Sequence, residues 1–183
     1  MLRVWIVDPI DGTKEFVSGV PEYAVSVALT ETGLPVVAAV YNPATEELFS
    51  AAKGQGAWLN GELMRAEHLL GERPIVLASR SEIKRGEWEP FEPLANIQPC
   101  GSIAYKLALV AAGLADATFS LGPKNEWDIA ASVLLVSEAG GKVADRGGHP
   151  FVFNQHLTLV DGIVASTKNA HNAVRMLIDR IAS

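Results

Sequence analysis

The chain has 183 residues, 49% of them hydrophobic and 20% charged, with fifteen Lys plus Arg against twenty-one Asp plus Glu and a net charge of −6. Such a composition describes a soluble globular chain of one or two domains with a substantial core. The acidic balance, without a long basic run, argues against a nucleic-acid polymer as partner. The single cysteine, Cys100, excludes an internal disulfide and fits a reducing cytoplasm, where it is expected to be a packed structural residue. No stretch approaches the ~20 continuous apolar residues of a membrane span, and the apolar part of MLRVWIVDP is too short for a signal peptide.

In chain order, the first element is an apolar, β-branched run at 4–7, which reads as a buried strand and places Asp8 and Asp11 at its carboxyl end. Open α/β sheets hold their ligands at that end. Runs at 23–29 and 35–41 are strand-like and separated by TETG, a turn with Gly33; shorter strands follow at 47–52 and 57–59, with Asn60-Gly61 as a hairpin-type turn. This part reads as an antiparallel meander. Beyond residue 74 the pattern alternates: a strand at 75–80, a small-residue helix at 102–112, a strand in ADATFSL and a helix at 127–139 ended by Gly140-Gly141. KVAD, LVDGIVAS and a last helix at 169–181 follow, which suggests a partly parallel α/β sheet. The change of texture near 66–74 divides the chain into 1–73 and 74–183, either as two units or as one compact unit.

DPIDGT sets two acids three residues apart, with Pro9 stiffening the backbone between them and Gly12 allowing a sharp turn before the Thr13 hydroxyl. Such a turn can aim Asp8, Asp11 and the Ile10 carbonyl at one spot, and hard oxygen ligands of this kind suit Mg²⁺. Backbone N–H groups after Gly12 would favour an anion if they begin a helix. The same residues also read as a helix cap and an ordinary Asp-Gly turn. Downstream, GPKNEWDIAASVLLVSEAGG (122–141) places Asp128 in a first helical turn, either reaching past the helix end to a shared site or as a plain first-turn aspartate. Trp127 is expected in the core. His68, His149, His156 and His171 lack zinc-ligand spacing.

DPIDGT followed far downstream by EWDIAA and EAGG resembles the paired signature of the inositol monophosphatase superfamily of metal-dependent phosphatases. GQGAWLNG (54–61) and GSIAYKLALVAAGLADA (101–117) stand in family order, so the resemblance covers almost the whole chain. It implies a layered αβαβα sugar-phosphatase-like fold, of mixed α/β and α+β character, with 1–73 as the rest of a metal-binding α+β part and 74–183 as a C-terminal α/β part. It also implies two or three Mg²⁺ ions held by Asp8, the Ile10 carbonyl, Asp11 and Asp128. Asp8 would bridge two ions, Thr13 would orient the attacking water, and the Gly12 and Thr13 N–H groups would hold phosphate oxygens, without a covalent phosphoenzyme.

DGTKEF and GPKNEWD, with Lys106 in the helix after Gly101-Ser102, resemble the 3′(2′),5′-bisphosphate nucleotidases, whereas the GSxA at Gly101 looks more like inositol monophosphatases. The nucleotidase branch is the expected one, acting on adenosine 3′,5′-bisphosphate. Gly12, Thr13, Gly101, Ser102 and Lys106 are then the candidate substrate-binding residues, although Lys106 reads equally as a solvated helix lysine. The alternatives are an inositol monophosphatase or sugar phosphatase, and a non-catalytic phosphate- or metal-binding protein. Family members carry a Glu-Glu pair on a segment before the first motif, and this chain starts seven residues before Asp8. Glu15 and Glu22 do not match that family position, so the expectation is an N-terminally truncated fold. Its exposed apolar sheet surface should drive homo-oligomerisation.

Overall fold

Alternation of apolar and small residues builds the first half of the chain into a sheet with two unlike faces. In the computed structural model, which describes residues 2–69 and 71–182, β1 (Arg3–Asp11), β2 (Ala24–Glu31), β3 (Leu34–Asn42), β4 (Glu47–Ala52), β5 (Ala57–Leu59) and β6 (Glu62–Met64) form an antiparallel meander in chain order. Thr32-Gly33 and Asn60-Gly61 make its tight turns, all four residues at positive φ, as the expected hairpin turns require. One row across the register runs Ile6, Ala28, Ala38, Ala51, Ala57 and Met64, and the neighbouring row runs Val7, Val27, Ala39, Ser50, Trp58 and Leu63. Successive residues of a strand face opposite sides, so these rows belong to opposite faces.

The alanine row is covered. α4 (Glu126–Glu138) lies across it, and the small Cβ atoms let the helix approach closely. Residues 129–136 of α4 are buried all round, which is why this helix shows no polar stripe. The Val7 row is left open, with Trp5 61%, Val7 49% and Leu63 53% exposed.

A second, mixed sheet has the order β11 (Lys142–Ala144), β13 (Ile163–Ser166), β9 (Ala117–Ser120), β7 (Ile75–Ala78) and β8 (Asn96–Pro99). β7 is parallel to both β8 and β9, and the remaining pairs are antiparallel. α3 (Ile103–Ala111) and α4 fill the space between the two sheets, in one core cluster that runs from Ala24 to Ala165 across the texture change at 66–74. α5 (His171–Ala182) places Val174, Leu177 and Ile178 against the outer side of the second sheet, with Trp88, Phe91 and Phe119. The described residues thus stack sheet, helices, sheet and helix, four layers of the αβαβα arrangement. Among them no helix is long and apolar enough to cross a membrane.

Several local expectations need correction. The strand read in LVDGIVAS is broken: Leu159–Val160 (β12) pairs with Lys124–Asn125 (β10), and β13 resumes after Gly162. At Gly162 φ is +68° and a Cβ would lie 2.7 Å from the Ser120 carbonyl, so the chain turns where glycine alone fits. The strand expected to reach residue 80 ends at Ala78, because Ser79 leads into the short α2 (Arg80–Lys84). Trp127 is 40% exposed rather than in the core. A five-residue helix such as α1 (Thr13–Val17) or α2 is too short to display a period.

Candidate active site

The first cluster arises from a slip in pairing. Asp8 stands opposite Ser26 and Asp11 opposite Ala24, so β1 carries one residue more than β2 between these pairs. Pro9 sits in that bulge, where its missing N–H leaves no ladder bond unmade. Asp8 Oδ1 accepts the Ile10 N–H at 3.0 Å, and the Ile10 carbonyl accepts the Thr13 hydroxyl at 3.2 Å. Gly12 holds φ +87° with the Glu22 carbonyl 2.9 Å from where a Cβ would stand, and α1 begins at once.

Asp11 is tied to the other half of the chain. Its Oδ2 accepts the Ser102 hydroxyl at 2.6 Å and the Ala104 N–H at 2.7 Å, while the Ser102 oxygen caps α3 by accepting the Tyr105 N–H at 3.0 Å. Burial raises the Asp11 pKa above the usual carboxylate value against the lowering effect of those hydrogen bonds, and the Asp8 charge adds to the rise. Asp128, in the first turn of α4, accepts the Asn125 N–H at 3.1 Å. Burial, and then the Asp11 charge, push its pKa up to about 6. One carboxylate oxygen each from Asp8, Asp11 and Asp128 lie within 4.8 Å of one another, a group able to hold a metal ion. Such an arrangement is repulsive by itself and is relieved by a cation. Hard oxygen donors with room left on one side fit Mg²⁺ better than a softer metal.

Next to this group opens a cleft of about 390 Å³, lined by Asp11, Gly12, Thr13, Gly101, Ser102, Lys106 and Asp128 among others. The fold therefore gathers the candidate substrate residues of both halves on one wall. Gly101 is required by crowding: a Cβ there would meet Glu15 Cγ at 2.3 Å and the Glu22 carbonyl at 2.7 Å. Lys106 corrects the solvated reading, since it is only 3% exposed, and its side chain makes no hydrogen bond or ion pair with a described residue. Burial lowers its pKa, opposed chiefly by the charge of Glu82. Cys100 is buried, and burial followed by the Glu22 charge pushes its thiol up to about 12, in keeping with an inert packed residue.

Glu22 is fully engaged elsewhere. It binds Arg80 through both carboxylate oxygens, at 3.0 and 2.5 Å, and accepts the Gly101 N–H at 2.7 Å, so it clamps the loop before α3 rather than facing the three aspartates. Glu15 lines the cleft but stands outside the three-acid group. Sequence reasoning missed Ser79, Ser81, Glu82, Arg85 and Lys124, which also line the cleft. No spacing could have flagged them, because α2 and β10 meet there only through the second sheet.

Carboxylates at the bulged end of one strand, completed by the first turn of a buried helix, define an α/β protein with a candidate cation site beside an open cleft. The pattern of the inositol monophosphatase family matches residues 2–181, and the chain belongs to that family. It is 41% identical over 163 residues to the Nus factor SuhB of Pasteurella multocida, a match covering 84% of this chain and 61% of that protein. With the inositol-1-monophosphatase of Mesorhizobium japonicum it shares 38% identity over 153 residues, 79% of this chain and 57% of the relative. The chain thus spans about three-fifths of the length of these curated relatives. Among solved structures, a Thermotoga maritima IMPase superposes with a TM-score of 0.86 at 32% identity, covering 98% of this chain and 70% of the other. Mycobacterium tuberculosis SuhB gives 0.77 at 32%, covering 97% and 72%.

Proposed function

We propose that the cleft is the site of a Mg²⁺-dependent phosphomonoesterase acting on a small phosphorylated metabolite. The observation that carries this reading is the meeting of Asp8, Asp11 and Asp128 within 4.8 Å beside a cleft that Asp11, Asp128 and the buried Lys106 line. Carboxylates for cations and a lysine for an anion suit a phosphate ester better than a neutral substrate. Asp8, Asp11, Asp128 and the Ile10 carbonyl would hold Mg²⁺. Bound there, the ion supplies charge neutralisation for the phosphate and lowers the pKa of water. The leading N–H groups after Gly12 are free of intrahelical partners by their position and would donate to phosphate oxygens. Thr13 orients water through an oxygen whose own proton is committed to Ile10. Ser102 and the Ala104 N–H hold Asp11 in place.

The names of the relatives include both Nus factor and inositol-1-monophosphatase, and inositol monophosphate is the substrate drawn from the second. A bisphosphate nucleotidase is the second reading, favoured by Lys106, a buried lysine on the cleft wall with no side-chain hydrogen bond or ion pair to a described residue. Phosphate release from inositol 1-phosphate and from adenosine 3′,5′-bisphosphate, with Mg²⁺ and with chelator, tests the activity and separates the two.

The open face of the six-stranded sheet supports self-association with a second copy. Strands ~4.8 Å apart and ~3.3 Å per residue give that face a footprint on the order of 600 Å². That approaches the ~800 Å² per partner of a standard interface. Trp5, Val7, Leu48, Trp58 and Leu63 are the exposed anchors.

A further inference from the structure

The end of the cleft beyond the aspartates is basic, and its geometry is built around one buried carboxylate. Glu82, in the first turn of α2, is 7% exposed. Its Oε2 accepts the Trp88 indole N–H at 3.1 Å and its Oε1 accepts the Ser120 hydroxyl at 2.8 Å. The Lys124 ammonium lies 3.7 Å from the same Oε1. Lys106 reaches this wall from α3 and feels Glu82 as the leading charge in its favour. Two ammonium groups therefore share Glu82, and the other carboxylate acting on Lys106, Asp11, belongs to the three-acid group that would hold the cation, so an anion in the cleft is left to balance the pair. Burying an unbalanced cation is costly, so such a site is most stable when an anion occupies it.

The backbone of Lys124 is fixed as well. It is paired with Val160 in the two-stranded sheet, and the next turn is pinned where Glu126 accepts the Asn154 and Gln155 N–H groups at 2.8 and 3.1 Å. One short segment thus presents both Lys124 and Asp128 to the cleft.

We propose that Lys124 contacts an anionic group of the substrate distal to the reacting phosphate, and that Glu82 is the positioning residue that holds Lys124 at the cleft wall beside Lys106. This rests on the phosphomonoesterase reading and decides its substrate form. A second phosphate would fill the basic end, whereas the hydroxyls of a polyol phosphate would leave both lysines unbalanced.

The test is steady-state kinetics of the wild type, Lys124→Gln and Glu82→Gln on adenosine 3′,5′-bisphosphate and on inositol 1-phosphate. For Lys124→Gln the expected result is a KM for the bisphosphate raised roughly tenfold, the lower range for one charge-assisted hydrogen bond, with kcat within about twofold. The constants for inositol 1-phosphate stay unchanged. Glu82→Gln can keep the Trp88 and Ser120 hydrogen bonds but removes the charge that balances the two lysines, so it should raise the same KM selectively and lower the melting temperature, with bound bisphosphate restoring part of the loss. Equal changes for both compounds, no change for the bisphosphate, or a wild type that turns over only inositol 1-phosphate would overturn the proposal. If the wild type turns over neither compound, the phosphomonoesterase reading fails on its own. Calorimetric titration of the two with Mg²⁺ present then decides the lysine site: tighter bisphosphate binding that is lost in Lys124→Gln supports it, and equal binding overturns it.

Discussion

Ser102 donates its hydroxyl to Asp11 Oδ2 at 2.6 Å, joining residues 91 positions apart. The same oxygen caps α3, and Ser102 stands at φ +50°, a strained value for a residue with a side chain. One serine thus fixes the start of α3 and the orientation of a carboxylate of the three-acid group. The loop at Gly101-Ser102 acts on Asp11 as well as lining the cleft.

Asp11→Asn should abolish Mg²⁺ binding and phosphate release while leaving the fold intact. The amide oxygen can still accept from Ser102 and Ala104, and only the charge is removed. A loss of at least about a hundredfold is expected, since even groups one step removed from a metal commonly cost ten- to a hundredfold. Calorimetric Mg²⁺ titration beside far-UV dichroism checks this, and unchanged binding would remove Asp11 from the site.

Glu22→Ala should destabilise the protein by about 2 kcal/mol, because it strands the Gly101 N–H and leaves Arg80 alone. Arg80 is 40% exposed, so water replaces much of its share and the larger part of the loss belongs to the Gly101 loop. Urea unfolding should show a lower midpoint at unchanged slope; a midpoint equal to wild type would mean that the clamp contributes nothing.

Alkaline pH should weaken the fold through Cys100. Its thiol rises from its ordinary value of 9.0 to about 12 on folding, so the native state retains a proton that the unfolded chain releases above about pH 9. The contribution is fully present below pH 9 and is lost as pH climbs towards 12, roughly 2 kcal/mol of it by pH 10.5. Tyr105, raised by burial and then by its hydrogen bond to Glu47, acts in the same direction. Melting temperatures from pH 8 to 10.5 should fall less steeply for Cys100→Ala than for wild type, and parallel curves would contradict this assignment.

Self-association through the open sheet face should appear as a dimer or larger species by light scattering at micromolar concentration. Trp5→Lys with Val7→Lys should shift it to monomer without lowering the melting temperature by much, because both side chains are already half exposed or more. A wild type that stays monomeric at that concentration would refute it.

The meander was legible because each strand alternates cleanly and its turns use Gly33 and Asn60-Gly61. The three aspartates were legible as one group only through a resemblance: DPIDGT alone reads equally as a cap and a turn and Asp128 alone as a first-turn aspartate, and the paired motifs of the inositol monophosphatase superfamily implied that they meet. Glu82 and Lys124 were invisible, since a single Glu and a single Lys carry no spacing and meet only when α2 and β10 close on the same cleft. The broken strand at Gly162 was missed because LVDGIVAS is uniformly strand-like in propensity. The break comes from the tertiary contact with the Ser120 carbonyl. Lys106 was ambiguous for the same cause: its burial comes from the neighbouring elements, not from its own helix.

The most direct test of the proposed metal-dependent phosphatase site is inorganic phosphate release from inositol 1-phosphate and adenosine 3′,5′-bisphosphate, with millimolar Mg²⁺ and with excess chelator, for the wild type and Asp11→Asn. Release that needs Mg²⁺, stops with chelator and is absent in Asp11→Asn is the predicted result. Release that persists in chelator, or no release from either compound with Mg²⁺ bound, would contradict it.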